Sequence, residues 1–251
     1  MNETALKELL YKVADDLLIL GHRNSEWTGF GPLLEEDIAF SSMAQDKIGQ
    51  SHALYTILNS LGESDPDTIA FTRNANQFHN CMLVELPNGE YDFSLIRHFL
   101  YDTAEAIRFE MLSTSSFQPI ADLSKKIRAE LRYHTLHANT WVKQLGTATE
   151  ESISKLQQAL DYTMPFALGM FEESPYEKEL IEGGIFGGEK ALKEKWVKKV
   201  EEIISQTRLR LLDWKVVQPV MGGRTGKHSE YLQPLLDEMS EVFRIDPSAE
   251  W

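Results

Sequence analysis

Cysteine is nearly absent from this chain. Its 251 residues include one, Cys81, so an intrachain disulfide and a cysteine-ligated metal cluster are both excluded. A protein with no cross-links suits a reducing compartment, and the cytoplasm is the expected location. Positive charge is also short: 25 Lys and Arg stand against 39 Asp and Glu, a formal net charge of -14. Sequence-independent binding to nucleic acid or to an anionic membrane is therefore not expected. No apolar run approaches the roughly 20 residues of a membrane span. The first residues, Met1 to Lys7, carry no basic stretch followed by an apolar one, so no secretory leader is expected. Internal repeats, low-complexity tracts and confident strand patterns are missing too.

What remains is helical periodicity, at a composition of 42% hydrophobic and 25% charged residues that is ordinary for a globular protein. Apolar residues three and four apart, punctuated by Gly and Pro, predict long helices over about 4–21, 33–61, 93–112 and 119–145. A loop is expected over 22–32, a shorter helical stretch over 65–77, an ambiguous segment over 78–84 and a turn at Pro87-Asn88-Gly89. Thr149-Glu150-Glu151-Ser152 resembles a helix start for a fifth helix reaching about 171, which Pro165 should kink. A Gly-rich loop over 183–188 precedes a charged helix over 189–212, and a last helix covers 229–243. The expected fold is all-α, a ferritin-like four-helix bundle with additional C-terminal helices, in one domain over 1–251.

Each long helix carries a polar residue in the middle of its apolar stripe. Helix one reads Leu6, Leu9, Val13, Asp16, Leu20, although Asp15 could equally be its inward carboxylate. Helix two reads Phe40, Met43, Lys47, Gln50, Leu54, Ile57, Leu61. Helix three reads Leu95, Phe99, Asp102, Ala106, Phe109, and helix four Ile120, Leu123, Ile127, Leu131, His134, Ala138, Trp141, Leu145. A lone histidine on an apolar face is more often a hydrogen-bonded core residue than a ligand. Four helices with central polar groups are a different matter, because buried charges must satisfy one another. Asp16, Lys47, Gln50, Asp102 and His134 are the expected buried polar cluster.

Di-iron carboxylate bundles place Glu and Glu-x-x-His at these heights, since iron favours carboxylate and imidazole donors. Here the Glu-x-x-His slot of helix two reads Lys47-Ile48-Gly49-Gln50. An ammonium cannot ligate a metal and a neutral amide is a poor donor. On helix four Leu131 stands three residues before His134, and Glu130 points about 100 degrees away. No metal ligand, catalytic residue or cofactor is expected in this chain. The alternative is a stand-alone metal-dependent oxygenase with a noncanonical site at Asp16, Asp102 and His134. Other motifs are weaker. Glu35-Glu36-Asp37 reads as a helix N-terminal acidic run, and a surface metal pair of His134 and His137 is disfavoured because His137 lies off the stripe. The tail from Gly222 to Ser229 fails the phosphate-loop spacing.

Several segments together resemble a known family. They are Leu20-Gly21-His22-Arg23-Asn24-Ser25-Glu26-Trp27, Leu34-Glu35-Glu36-Asp37-Ile38-Ala39, Val84-Glu85-Leu86-Pro87-Asn88-Gly89 and Phe99-Leu100-Tyr101-Asp102. Glu130-Leu131-Arg132-Tyr133-His134, Gly146-Thr147-Ala148-Thr149-Glu150-Glu151-Ser152 and the tail from Gly222 to Glu230 extend the likeness nearly end to end. It is to the ferritin-like phenylacetate-degradation family, and within it to the C subunits of phenylacetyl-CoA monooxygenase (1,2-epoxidase). The resemblance implies a non-catalytic structural subunit. It would pair with a homologous di-iron A subunit that epoxidises the aromatic ring, within a complex holding a small B subunit and an NADPH reductase. The catalytic subunit's helix-two motif, Gln-Asp-Glu-Ala-Gly-His, is matched here by Gln45-Asp46-Lys47-Ile48-Gly49-Gln50. Asp102 and His134 match ligand positions.

Overall fold

The computed structural model describes residues 2–246, and among these there is no β-strand. Ten α-helices follow one another: α1 (Glu3–Ser25), α2 (Leu34–Ser60), α3 (Pro66–Phe71), α4 (Met82–Glu85), α5 (Tyr91–Leu112), α6 (Gln118–Leu145), α7 (Glu150–Gly169), α8 (Glu177–Glu182), α9 (Glu189–Ile204) and α10 (Leu232–Ile245). The chain is all-α, of the ferritin-like class. No helix of the described residues is long and apolar enough to cross a membrane. Two compact units are present, one of residues 7–87 and 222–246, the other of residues 2–6 and 88–221.

In the first unit α1 and α2 form the main hairpin. Ser51 Oγ on α2 donates to the Ala14 carbonyl on α1 at 2.8 Å. Gly21 was expected to stop α1, yet the helix runs on to Ser25. The glycine serves close packing: a Cβ there would lie 2.9 Å from Ile48 Cγ1 and 3.3 Å from the Ala44 carbonyl oxygen. Asp65 caps α3 by accepting from Thr68 N at 3.0 Å, with Pro66 in the first turn, where its missing N–H costs nothing. α10 returns against α3 through Phe71 and Phe243, whose ring centroids are 5.3 Å apart.

In the second unit α5 is the central helix, buried on nearly every side from Ser94 to Glu105, with α6, α7 and α9 around it. Trp196 of α9 is fully buried and donates through Nε1 to the Leu100 carbonyl at 2.9 Å. Thr149 and Ser152 form the capping box of α7. Pro165 lies inside α7, which continues to Gly169, and the Pro165 carbonyl accepts from Val220 N at 3.0 Å. The segment after α9 passes so close that a Cβ on Gly169 would lie 1.9 Å from the Val220 carbonyl oxygen. α9 ends at Ile204, eight residues before the expected stop at 212. Ser205 and Thr207 hydroxyls take the carbonyls of Glu202 and Ile204, and Arg208 N turns to Gly146 O. Such local side-chain bonds compete with helix continuation.

Candidate functional site

The consecutive acids of α1 are both buried, and each is held by an arginine from elsewhere in the chain. Asp15 accepts from Arg73 Nη1 and Nη2 at 3.0 and 2.6 Å, from Tyr55 Oη at 2.6 Å and from His79 N at 2.8 Å. The Arg73 guanidinium lies over the Phe78 ring, 3.9 Å from its centroid. Burial is the strongest single influence on the Arg73 pKa and works to lower it, but the charge of Asp15, Tyr55 and the hydrogen bonds to Asp15 together hold the group above its ordinary value. Burial, and then Asp15, push the Tyr55 hydroxyl well up.

Asp16 accepts from Arg224 Nη1 and Nη2, both at 2.8 Å, and from Cys81 N at 2.7 Å. Arg224 Nη1 also donates to the Lys12 and His79 carbonyls. A third buried carboxylate, Glu85 of α4, completes the same fastening. His228 Nδ1 lies 2.5 Å from its Oε1, Ser229 donates to Oε2 through N and Oγ at 2.8 and 2.5 Å, and Asn80 Nδ2 donates at 2.9 Å. The stretch from Gly222 to Ser229 is thus a clamp on α1 and on the segment before α5, not a phosphate loop. Gly222 and Gly226 take φ of +119° and +79°, values that favour glycine. A Cβ on Gly223 would sit 2.3 Å from the Asn80 carbonyl oxygen.

Lys47 and Gln50 are both buried on α2, one turn apart. Of the expected cluster, Asp16, Lys47 and Gln50 therefore belong to the first unit, and Asp102 and His134 to the second. Asp102 and His134 are fully buried and do come together: His134 Nδ1 lies 3.6 Å from Asp102 Oδ1. His98, one turn before Asp102 on α5, meets the other carboxylate oxygen through Nδ1. The His137 ring lies tilted against that of His98, with centroids 5.4 Å apart. His98 was missed in the sequence, although its i, i+4 spacing to Asp102 was a usable signal. A buried triad went unforeseen as well. Arg108 Nε donates to Glu105 at 2.8 Å, and its Nη1 and Nη2 donate to Glu189 at 2.5 and 3.3 Å.

These groups do not fit a di-iron carboxylate centre. Both oxygens of Asp16 carry a guanidinium, and the Glu-x-x-His slot of α2 holds an ammonium and an amide. Among the described residues no group of three or more His, Cys, Asp or Glu side chains could hold a metal ion. Asp16 finds its counter-charge in Arg224, a residue outside the expected cluster.

Cys81 offers no nucleophile. It is buried, and burial, with Asp16 adding to it, pushes the thiol well above its ordinary pKa, so the thiolate that reacts is suppressed. Native protein at pH 8 should leave Cys81 unmodified by an aromatic disulfide reagent over an hour, while urea-unfolded protein should react fully within minutes. Rapid native modification would contradict the burial described.

Comparison with known proteins agrees with this architecture. The model of the family described as "Phenylacetic acid catabolic protein" matches residues 1–251. The chain is similar to the C subunit of 1,2-phenylacetyl-CoA epoxidase from Escherichia coli (strain K12). The two are 33% identical over 241 residues, covering 96% of each. With the family model spanning the whole chain, this all-α protein belongs to the phenylacetic acid catabolic protein family.

Proposed function

We propose that this chain is the non-catalytic supporting subunit of a multicomponent phenylacetyl-CoA 1,2-epoxidase. It pairs with a homologous di-iron catalytic subunit, and an NADPH reductase and a small B subunit join through the complex. The observation that carries the reading is the pair Lys47 and Gln50, buried in the slot where a catalytic relative needs Glu and His. The Arg224 clamp on Asp16 supports it, since a carboxylate so occupied is unavailable as a ligand. In this reading residues 1–251 form a single ferritin-like domain. Asp16, Lys47, Gln50, Asp102 and His134 stand at the vestigial metal positions, all of them buried.

Exposed apolar residues favour a macromolecular partner. Phe30, Leu33, Leu34 and Ile38 are each more than half exposed at the entry to α2, an unusual concentration for a surface that faces only water. An obligate partner typically buries more than ~2,000 Å².

The test is acyl-CoA-dependent NADPH consumption in the presence of the reductase, read for this chain alone, the catalytic partner alone, and the mixture. This chain alone should be inactive, and the mixture should be more active than the partner alone. Purified from iron-supplemented cells, the chain should carry no stoichiometric iron. The double substitution Lys47→Glu, Gln50→His should not confer turnover, because Arg224 still holds Asp16. Turnover by this chain alone would refute the non-catalytic role. A partner that is fully soluble and active by itself would refute the supporting role.

A further inference from the structure

Gly89, in the turn before α5, is a glycine that the fold does not require. Gly21, Gly169 and Gly223 are held by close packing, and Gly222 and Gly226 by a positive φ. Neither reason applies at Gly89. Its φ lies outside the left-handed region, and a Cβ there would meet only Phe93, at an ordinary 3.5 Å. A glycine without such a reason weakens the fold, because it widens the unfolded ensemble. What it leaves at this position is an unhindered backbone nitrogen. Gly89 is exposed, and among the described residues nothing accepts from its N–H. The residue before it, Asn88, has its side-chain oxygen held by two donors. Arg97 Nη2 donates to Asn88 Oδ1, and Ser94 Oγ donates to the same atom at 3.4 Å. Both donors belong to buried side chains of α5, and the Arg97 guanidinium lies over the Phe93 ring, 5.2 Å from its centroid. Donors that converge on a carbonyl oxygen draw electrons from its carbon, and they stabilise the oxyanion formed when a nucleophile adds. A polarised amide carbon and an unhindered nitrogen thus stand on adjacent residues.

We infer that Asn88-Gly89 is a self-modifying site, at which the folded chain converts its own asparagine to aspartate. The Gly89 nitrogen adds to Asn88 Cγ, and the negative charge collects on Oδ1, against Arg97 and Ser94. The bond from Cγ to the side-chain nitrogen breaks, and ammonia leaves with the proton of the Gly89 N–H. A cyclic imide remains, and water opens it; nothing is oxidised or reduced. Oδ1 is still the oxygen that Arg97 and Ser94 polarise, so water is directed to Cγ. The bond between Gly89 N and Cγ then breaks, and the ordinary backbone returns with a carboxylate at position 88. Opening at the backbone carbonyl, the competing route, would leave an isoaspartyl link. The product suits the site. A buried guanidinium exchanges a neutral acceptor for a charged one, which is the stronger pairing. The new charge also lies by the N-terminus of α5, the end where the helix dipole favours it.

The test is peptide mapping by mass spectrometry of the full chain held at mildly alkaline pH, native and in urea, with isoaspartate scored separately by enzymatic methylation. The native chain should convert Asn88 at least about tenfold faster than the unfolded chain. It should yield mainly aspartate, where the unfolded chain yields mainly isoaspartate. Gly89→Ala should slow native conversion about tenfold or more by crowding the nitrogen that attacks, with an unchanged far-ultraviolet spectrum, since the fold has room for the methyl. Ser94→Ala removes the longer of the two donor contacts and should slow conversion about threefold. Asn88→Asp, which supplies the product directly, should melt no lower than the parent chain. Native conversion no faster than in urea, equal isoaspartate shares in the two states, Gly89→Ala converting as fast as the parent, or a lower melting temperature for Asn88→Asp would each overturn the inference. The readout is covalent and needs no turnover and no partner subunit.

Discussion

Replacing Arg224 with Met should destabilise the protein by about 3–5 kcal/mol, the usual penalty for removing one partner of a buried ion pair. The arginine is 7% exposed and Asp16 1%, so water cannot take over the carboxylate. Both carboxylate oxygens lose a donor, and the Lys12 and His79 carbonyls lose theirs. For a chain of this size the melting temperature should fall by roughly 6–20 °C. The second substitution Asp16→Asn, added to Arg224→Met, should restore part of the loss, because it removes the stranded charge while keeping an acceptor for Cys81 N. A melting temperature unchanged by Arg224→Met would show that the tail clamp contributes nothing to the fold.

Arg108→Met should have an effect at least as large. One guanidinium there serves two carboxylates, Glu105 and Glu189, and all three side chains are no more than 2% exposed. Without it two acids are left buried near one another. Stability should drop by about 5 kcal/mol at neutral pH, with part of the loss recovered in acid, where protonation removes the repulsion. The Arg108 guanidinium also lies 5.7 Å from the centroid of Phe186, a contact that Lys does not reproduce, so Arg108→Lys should recover only a share. Replacing all three residues with apolar side chains of similar volume should be near neutral. Equal urea midpoints for Arg108→Met and the parent chain would contradict this account.

Local periodicity determined a great deal. The four long helices lie where three-and-four spacing of apolar residues puts them, because a helical face is a local property of the chain. The same spacing marked Asp16, Lys47, Gln50, Asp102 and His134 as core positions, and all five are buried. Stripes drifted by a residue in places: Glu105 rather than Ala106 is buried on α5, Leu58 rather than Ile57 on α2, and Val142 rather than Trp141 on α6, since 3.6 residues per turn does not divide evenly into threes and fours. That Lys47 and Gln50 are an ammonium and an amide was legible as well, because what a side chain can ligate depends on its identity alone.

Counter-charges were not legible. Arg224 reaches Asp16 across 208 residues of sequence, His228 reaches Glu85 across 143, and Glu189 reaches Arg108 across 81. No periodicity links such pairs, so an acid's partner could be assigned only among residues already suspected. For the same reason Gly21 read as a helix stop, although α2 packs closely against it through Ala44 and Ile48, and the glycine-rich tail had no role until its fold brought it onto two buried acids. Sequence decided which residues go inside. Tertiary structure decided which charge neutralises which, because that pairing depends on distance in space and on the exclusion of water.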